Sequence, residues 1–156
     1  MRSRLTLARI EAAERPLNGV VTTCFDDAHR NVGALLPTGP LTGVPYLVKD
    51  LNTWVRGMPA TNGSRALANF VPDRDAVLVE RLRTAGLILL GKTNTPEFAS
   101  KPTTEPELFG PTGNPWNPAY SAGGSSGGSA SAVGARMVAA AHANDGGGSI
   151  RCPASW

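Results

Sequence analysis

The sequence predicts an α/β fold in which a largely parallel sheet is flanked by helices. Three observations carry that expectation. Short apolar runs suited to strands alternate with segments of helical period. Glycine or proline punctuates the ends of several of these segments. The chain has 156 residues, of which 41% are hydrophobic and 17% charged, the size and balance of one globular unit. A unit of that size can bury roughly two-thirds of its unfolded surface.

Taken in order, Leu5 to Glu14 reads as an amphipathic helix ended by Pro16. Val20 to Cys24 reads as a short strand. Phe25 to Leu36 reads as a helix with Asp26 and Asp27 near its positive end. Val44 to Val48 is a strand that delivers Lys49 at or just past its end. Asp73 to Ala85 is the clearest helix, with Asp73 as cap, Leu78, Leu82 and Ala85 on one face, and Gly86 as stop. Leu87 to Leu90 is a buried strand. Ser129 to Arg136 is a helix of small residues, and a strand follows near Val138 to Ala143. The chain contains no internal repeat.

Composition narrows the function classes. The net charge is +3, with the basic residues scattered and aromatics at only 6%. A nucleic-acid partner would call for a basic patch interleaved with aromatics, so none is expected. Cys24 and Cys152 lie far apart and form no CxxC pair, so neither a metal nor a disulfide framework is expected. Arg2 and Arg4 precede no long apolar core, and the longest strongly apolar run, Leu87 to Leu90, is too short to span a membrane. A cytoplasmic protein with no membrane partner is the expectation. In that setting the sequon Asn62-Gly63-Ser64 carries little meaning.

Chemistry concentrates near the end of the chain. Eight of the 18 glycines lie between Gly123 and Gly148, which marks a site and not a linker. Gly123 to Ser129 and Asp145 to Arg151 present two glycine-flanked serines, Ser125 and Ser149. Glycine clusters let backbone N–H groups face a cavity unobstructed by Cβ atoms. A serine hydroxyl can attack or relay a proton. Lys49 is the candidate base.

Two competing motifs fail on physical grounds. Gly86 to Thr93 matches the P-loop pattern, but its four intervening residues are Leu and Ile, which form the strand itself. A phosphate cradle needs a loop there. Gly124 to Gly128 contains GxSxG, the nucleophile elbow. That elbow requires a preceding strand and a well-placed downstream histidine. Upstream lies Asn117-Pro118-Ala119-Tyr120-Ser121, and His142 sits in an apolar run. His142 and His29 both read as structural.

Taken together, Gly43-Val44-Pro45 with Lys49-Asp50, Gly91 to Asn94, Asn114 to Pro118, Gly123 to Ser129 and Asp145 to Pro153 resemble the amidase signature family. The match runs from about Leu17 to Trp156. Details around Val44 to Leu51, Thr93 to Glu97 and Thr103 to Glu107 most resemble its 6-aminohexanoate-cyclic-dimer hydrolase branch. The resemblance implies the N-terminal part of the amidase signature fold, with a mixed, largely parallel sheet flanked by helices and incomplete at its C-terminus. It implies that residues 1–156 are a truncated portion of a single amidase domain, and that the full-length chain could form a homodimer.

The resemblance also implies a Ser–cis-Ser–Lys triad, with Ser149 as nucleophile, Ser125 as bridging serine after a cis peptide, and Lys49 as base. The backbone N–H groups of Gly146, Gly147, Gly148 and Ser149 become the oxyanion hole, with Ser126, Asp145 and Arg151 in support. No cofactor or metal is implied, and the substrate is a small linear or cyclic amide. Gly146 stands where many members carry Thr, and Cys152 replaces a usual apolar residue. Other readings are a glutamine-hydrolysing component of an amidotransferase that works with a partner protein, a non-catalytic remnant, and an anion-binding module built on the glycine-rich loop.

The chemistry sets one demand. A free lysine titrates near 10.4 and is a poor base at neutral pH. Burial lowers that value, whereas a close Asp50 carboxylate would oppose the shift. Adjacent strand residues point to opposite faces, which would separate Asp50 from Lys49.

Overall fold

The computed structural model describes residues 2–25 and 37–156. The expected helix from Phe25 to Leu36, with Asp26, Asp27 and His29, lies almost wholly outside the described residues.

Helix α1 (Arg2–Leu17) opens the chain. It runs one residue past Pro16, which lies in its last turn. Its Ile10 and Leu17 are buried. Strand β1 (Val20–Thr23) follows, then β2 (Pro45–Lys49), helix α2 (Val77–Thr84) and strand β3 (Ile88–Thr93). Helices α3 (Gly127–Gly134) and α4 (Arg151–Ala154) follow.

The three strands form one mixed sheet in the order β1-β3-β2. Strand β2 pairs parallel to β3, and β1 pairs antiparallel to it. An antiparallel edge strand on a sheet of this kind is common. The alternation of elements in the sequence says nothing about the direction of so short an edge.

Helices cover both faces. On one, Leu47, Ile88 and Leu90 pack with Ile10 and Leu17 of α1 and with Ala132 of α3. On the other, Val48 and Leu89 pack with Val55, Met58 and Val79 of α2. This is the period-two alternation of a sheet buried on both sides.

An irregularity in β3 breaks the alternation. Tyr46 pairs with Leu89, but Leu47 pairs with Gly91, so Leu90 is an extra residue. Beyond it, Lys92 pairs with Val48 and Thr93 with Lys49. A regular ladder would set Lys92 opposite Lys49 on the same face. The extra residue sends Lys92 to the face of α2 and leaves Thr93 on the face of α3. Gly91 fits this point because a Cβ there would collide with the Thr22 carbonyl of β1. All six residues of β3 are buried, so the P-loop look-alike is a core strand.

Four expectations need correction. Helix α2 begins at Val77, with Ala76 as a cap that offers no side-chain bond, so Asp73 does not cap it. Asp75 instead accepts hydrogen bonds from Arg56 N at 2.7 Å and Arg83 Nε at 2.8 Å. The packed face of α2 carries Val79, with Ala76 and Leu82 partly buried, while Leu78 is 41% exposed. Gly86 does end the segment, at φ +86, and its missing Cβ leaves room for Thr42.

The strand expected at Val138 to Ala143 is reduced to one parallel bridge between Leu47 and Ala141, with His142 N donating to Leu47 O at 2.8 Å. That segment passes the free edge of β2 without a ladder. Helix α3 starts two residues earlier than expected, because Gly127 and Gly128 are themselves helical. A Cβ on Gly128 would press into the backbone of Asn94 and Gly19. Close backbone approach, and not flexibility, is what places glycine there.

Gly128→Ala is therefore expected to destabilise the chain by about 1–3 kcal/mol through overpacking. Gly146→Ala, where an added Cβ meets nothing within 4 Å, should change stability by less than about 0.5 kcal/mol. Denaturant midpoints at equal m-value decide between them.

Candidate active site

The site forms where the end of β2, the start of α3 and the loop before α4 meet. Lys49 is the last residue of β2 and is fully buried. Its Nζ lies 2.7 Å from Ser125 Oγ, 2.9 Å from Ser126 Oγ and 2.7 Å from Asn144 Oδ1. Ser125 and Ser126 are buried too, and the Gly124–Ser125 peptide is cis. Burial lowers the Lys49 ammonium from its usual range to about 8, against an opposing pull from the Asp145 charge.

Asp50 does not reach Lys49. It points to the other face, where Lys92 Nζ lies 3.1 Å from its Oδ1 and Thr61 Oγ1 donates to its Oδ2 at 2.6 Å. Thr53 O accepts a further bond from Lys92 at 2.8 Å. Lys92 is itself pushed below its usual value, by burial first, with Asp50 opposing. Ser129 of α3 joins Thr93 Oγ1 at 2.6 Å and donates to His142 O at 2.7 Å, tying the helix to β3 beneath the site.

The two glycine-serine loops are locked together. Ser126 N donates to Ser149 O at 3.2 Å. Gly123 sits at φ +69, and its missing Cβ lets Pro153 of α4 approach. Thr104 Oγ1 accepts from Gly127 N at 3.0 Å and donates to Gly123 O at 2.9 Å, which holds the first loop from behind.

The second loop is organised by Asp145. Its Oδ1 accepts from Gly148 N at 2.7 Å, and its Oδ2 from Ile150 N at 3.1 Å and Arg151 N at 3.2 Å. The Arg151 guanidinium adds Nε at 3.0 Å and Nη2 at 2.9 Å. The Arg151 bonds, followed by the backbone donors, hold the Asp145 carboxyl well below the usual carboxylate range. Gly148 N–H is thereby committed to Asp145. The N–H groups of Gly146, Gly147 and Ser149 have no acceptor among the described residues, and neither does the Ser149 hydroxyl.

Every site residue expected from the sequence lies in or beside this cluster. Asn144 is the residue that sequence reasoning missed. A polar residue immediately before Asp145, at the end of an apolar run, was the available signal. His142 belongs to the framework: its imidazole is lowered to about 4, by burial and then by Lys49 and Lys92, and it bonds to neither catalytic candidate serine. Cys24 Sγ donates to Leu89 O at 3.1 Å, and Cys152 Sγ rests 3.9 Å from Pro102 O. No described helix is long and apolar enough to cross a membrane.

A model of the family described as Amidase matches residues 3–156. The chain belongs to the amidase family. The 6-aminohexanoate-cyclic-dimer hydrolase of Paenarthrobacter ureafaciens is 46% identical over 152 residues, covering 96% of this chain and 30% of that protein. One subunit of the glutamyl-tRNA(Gln) amidotransferase of Lachnospira eligens is 48% identical over 159 residues, covering 96% of this chain and 32% of that protein. A solved structure of 6-aminohexanoate cyclic dimer hydrolase complexed with substrate matches with a TM-score of 0.93 at 45% identity, covering 97% of this chain and 32% of that one. This amidase chain thus spans about a third of the length of the relatives it matches.

Asp145→Ala removes the acceptor of three loop amides and one negative charge near Lys49. Hydrogen exchange at Gly148, Ile150 and Arg151 should accelerate while β3 keeps its protection. The Lys49 midpoint, followed by lysine Cε NMR, should fall below about 8 because the charge that opposes its lowering is gone.

Proposed function

We propose that this chain carries the catalytic centre of an amidase that cleaves the C–N bond of a small linear or cyclic amide through Ser149, Ser125 and Lys49. The observation that carries the reading is the buried Lys49 amine, 2.7 Å from Ser125 Oγ and titrating near 8. Near neutral pH a useful fraction of it is free amine.

In this reading Lys49 takes the Ser125 hydroxyl proton, and Ser125 takes the proton of Ser149. Ser149 Oγ bonds to the amide carbon. The carbonyl oxygen, now negative, faces the N–H groups of Gly146, Gly147 and Ser149. When the C–N bond breaks, the proton returns through Ser125 to the leaving amine. Water, deprotonated along the same path, then cleaves the ester and regenerates Ser149. Ser126, Asp145 and Arg151 hold the reacting groups in place and do not react.

A second reading, glutaminase chemistry with a partner protein, is favoured by the 48% identity to a glutamyl-tRNA(Gln) amidotransferase component. It keeps the same residues and differs in the substrate. In either case residues 1–156 are part of one amidase domain. The loop at Gly146 and Gly147 is exposed, and no wall covers it among the described residues. Weak turnover by the 156-residue chain is the consequence, since reacting groups need a shell that holds them within about 0.5 Å.

A fluorophosphonate probe should label the 156-residue chain at Ser149, with Lys49→Ala reducing the rate by about a hundredfold or more, the scale on which general-base catalysis acts. In the wild type the rate should rise about tenfold per pH unit below the Lys49 midpoint near 8 and level off above it, because only the free amine accepts a proton. An adduct on Ser126 in place of Ser149, or a rate indifferent to Lys49, would sink the triad.

A further inference from the structure

We infer that Asn144 sorts the three hydrogen bonds of Lys49, so that the amine presents its lone pair to Ser125 and its two N–H groups elsewhere. The inference rests on the amidase reading above and adds to it a positioning residue.

The atoms dictate the sorting. A neutral lysine amine has two N–H donors and one lone pair, and Lys49 Nζ has three partners. An asparagine carbonyl oxygen only accepts. The contact from Asn144 Oδ1 to Nζ, at 2.7 Å, therefore takes one N–H. Ser126 could in principle donate or accept, but its hydroxyl proton is directed to the Asn144 backbone carbonyl at 3.3 Å. Ser126 Oγ is thus left as an acceptor and takes the second N–H at 2.9 Å. Only the lone pair remains for Ser125, whose hydroxyl stands 2.7 Å away. Asn144 acts twice in this scheme, its side chain on Lys49 and its backbone carbonyl on Ser126.

Without that ordering, a buried amine could rotate and offer Ser125 an N–H instead. The amine would then donate where it must accept, and the relay from Ser149 would stop. The arrangement also suits a resting ammonium, whose third N–H faces Ser125 Oγ. Loss of that one proton creates the lone pair in the right direction. The other ionisable groups around the amine are Asp145, next to Asn144, and His142, whose imidazole is held neutral; the Lys92–Asp50 pair occupies the far side of the sheet.

Two substitutions separate positioning from charge, with fluorophosphonate labelling of Ser149 followed against pH and the Lys49 midpoint followed by lysine Cε NMR. Asn144→Leu keeps the approximate bulk and removes the acceptor. Its labelling rate should stay about 10- to 100-fold low even above the Lys49 midpoint, where the amine is already neutral, the size of loss that misplaced reacting groups cause. Asn144→Asp keeps an acceptor-only oxygen and adds a negative charge. Its Lys49 midpoint should rise and carry the acid limb upward with it, while the rate above that midpoint returns close to wild type.

A wild-type plateau in Asn144→Leu would overturn the assignment while leaving the triad intact. So would an Asn144→Asp chain that folds, raises the Lys49 midpoint and still fails to recover above it. A wild-type chain that is not labelled at Ser149, or is labelled regardless of Lys49, would overturn the amidase reading and this proposal with it.

Discussion

The burial of one amine governs this structure. Lys49 is fully buried, and a buried ammonium is costly unless polar atoms surround it. Two serine hydroxyls and an asparagine carbonyl do so, at 2.7 to 2.9 Å. None of the three carries charge. A carboxylate there would satisfy the ammonium better and would raise its titration point, making a worse base. The site therefore trades stability for a lysine that gives up its proton near 8. By linkage, the folded chain binds fewer protons than the unfolded one between about 8 and 10.5, so the cost that this group imposes on folding shrinks as pH rises through that window.

Keeping Lys49 away from carboxylates is a problem of sheet register. Asp50 is its neighbour in sequence and reaches the opposite face, where it needs a cation of its own. The extra residue at Leu90 supplies one by turning Lys92 to that face. The buried Lys92–Asp50 pair, joined by Thr61 and Thr53, leaves the Asp50 carboxylate no freedom to act on Lys49. One irregularity in β3 thus separates two lysines and satisfies one aspartate. Gly91 is required at the same place, because the bulged strand still runs against Thr22 of β1.

Much of this was legible in the sequence, and the reasons for the rest are physical. Lys49, Ser125 and Ser149 stand in or beside motifs that local structure does not demand, and the long glycine-serine blocks have no use in a helix or strand interior, so chemistry is their simplest reading. The strands β2 and β3 announce themselves as short apolar runs. The antiparallel direction of β1 does not, since four residues paired along one edge carry no mark of orientation. Asp73 reads as a cap because it precedes an apolar period, yet α2 starts at Val77, and the carboxylate that finds partners is Asp75, which accepts from Arg56 N and Arg83 Nε. The run from Val138 to Ala143 has strand composition, but a single bridge to Leu47 is all the pairing it makes among the described residues. The place of Asn144 beside Asp145 marks it only weakly, and its partner, Lys49, is 95 residues away. Periodicity and local motifs do not report contacts at that range.

The remaining charge near the amine is Asp145, and its treatment explains the shape of the second loop. A carboxylate one residue from Asn144 pulls the Lys49 titration upward. That pull is limited because the carboxylate is occupied on both oxygens. Three backbone N–H groups and the Arg151 guanidinium take its lone pairs. Arg151 is 78% exposed, so the ion pair itself adds little to stability. Its guanidinium adds two donors to a carboxylate that also gathers the amides of Gly148, Ile150 and Arg151 around Ser149. The amides of Gly146 and Gly147, on the exposed outer turn, are left without an acceptor among the described residues. A single aspartate in this position shapes the loop that carries Ser149, and its guanidinium partner binds the charge that opposes the lowering of Lys49.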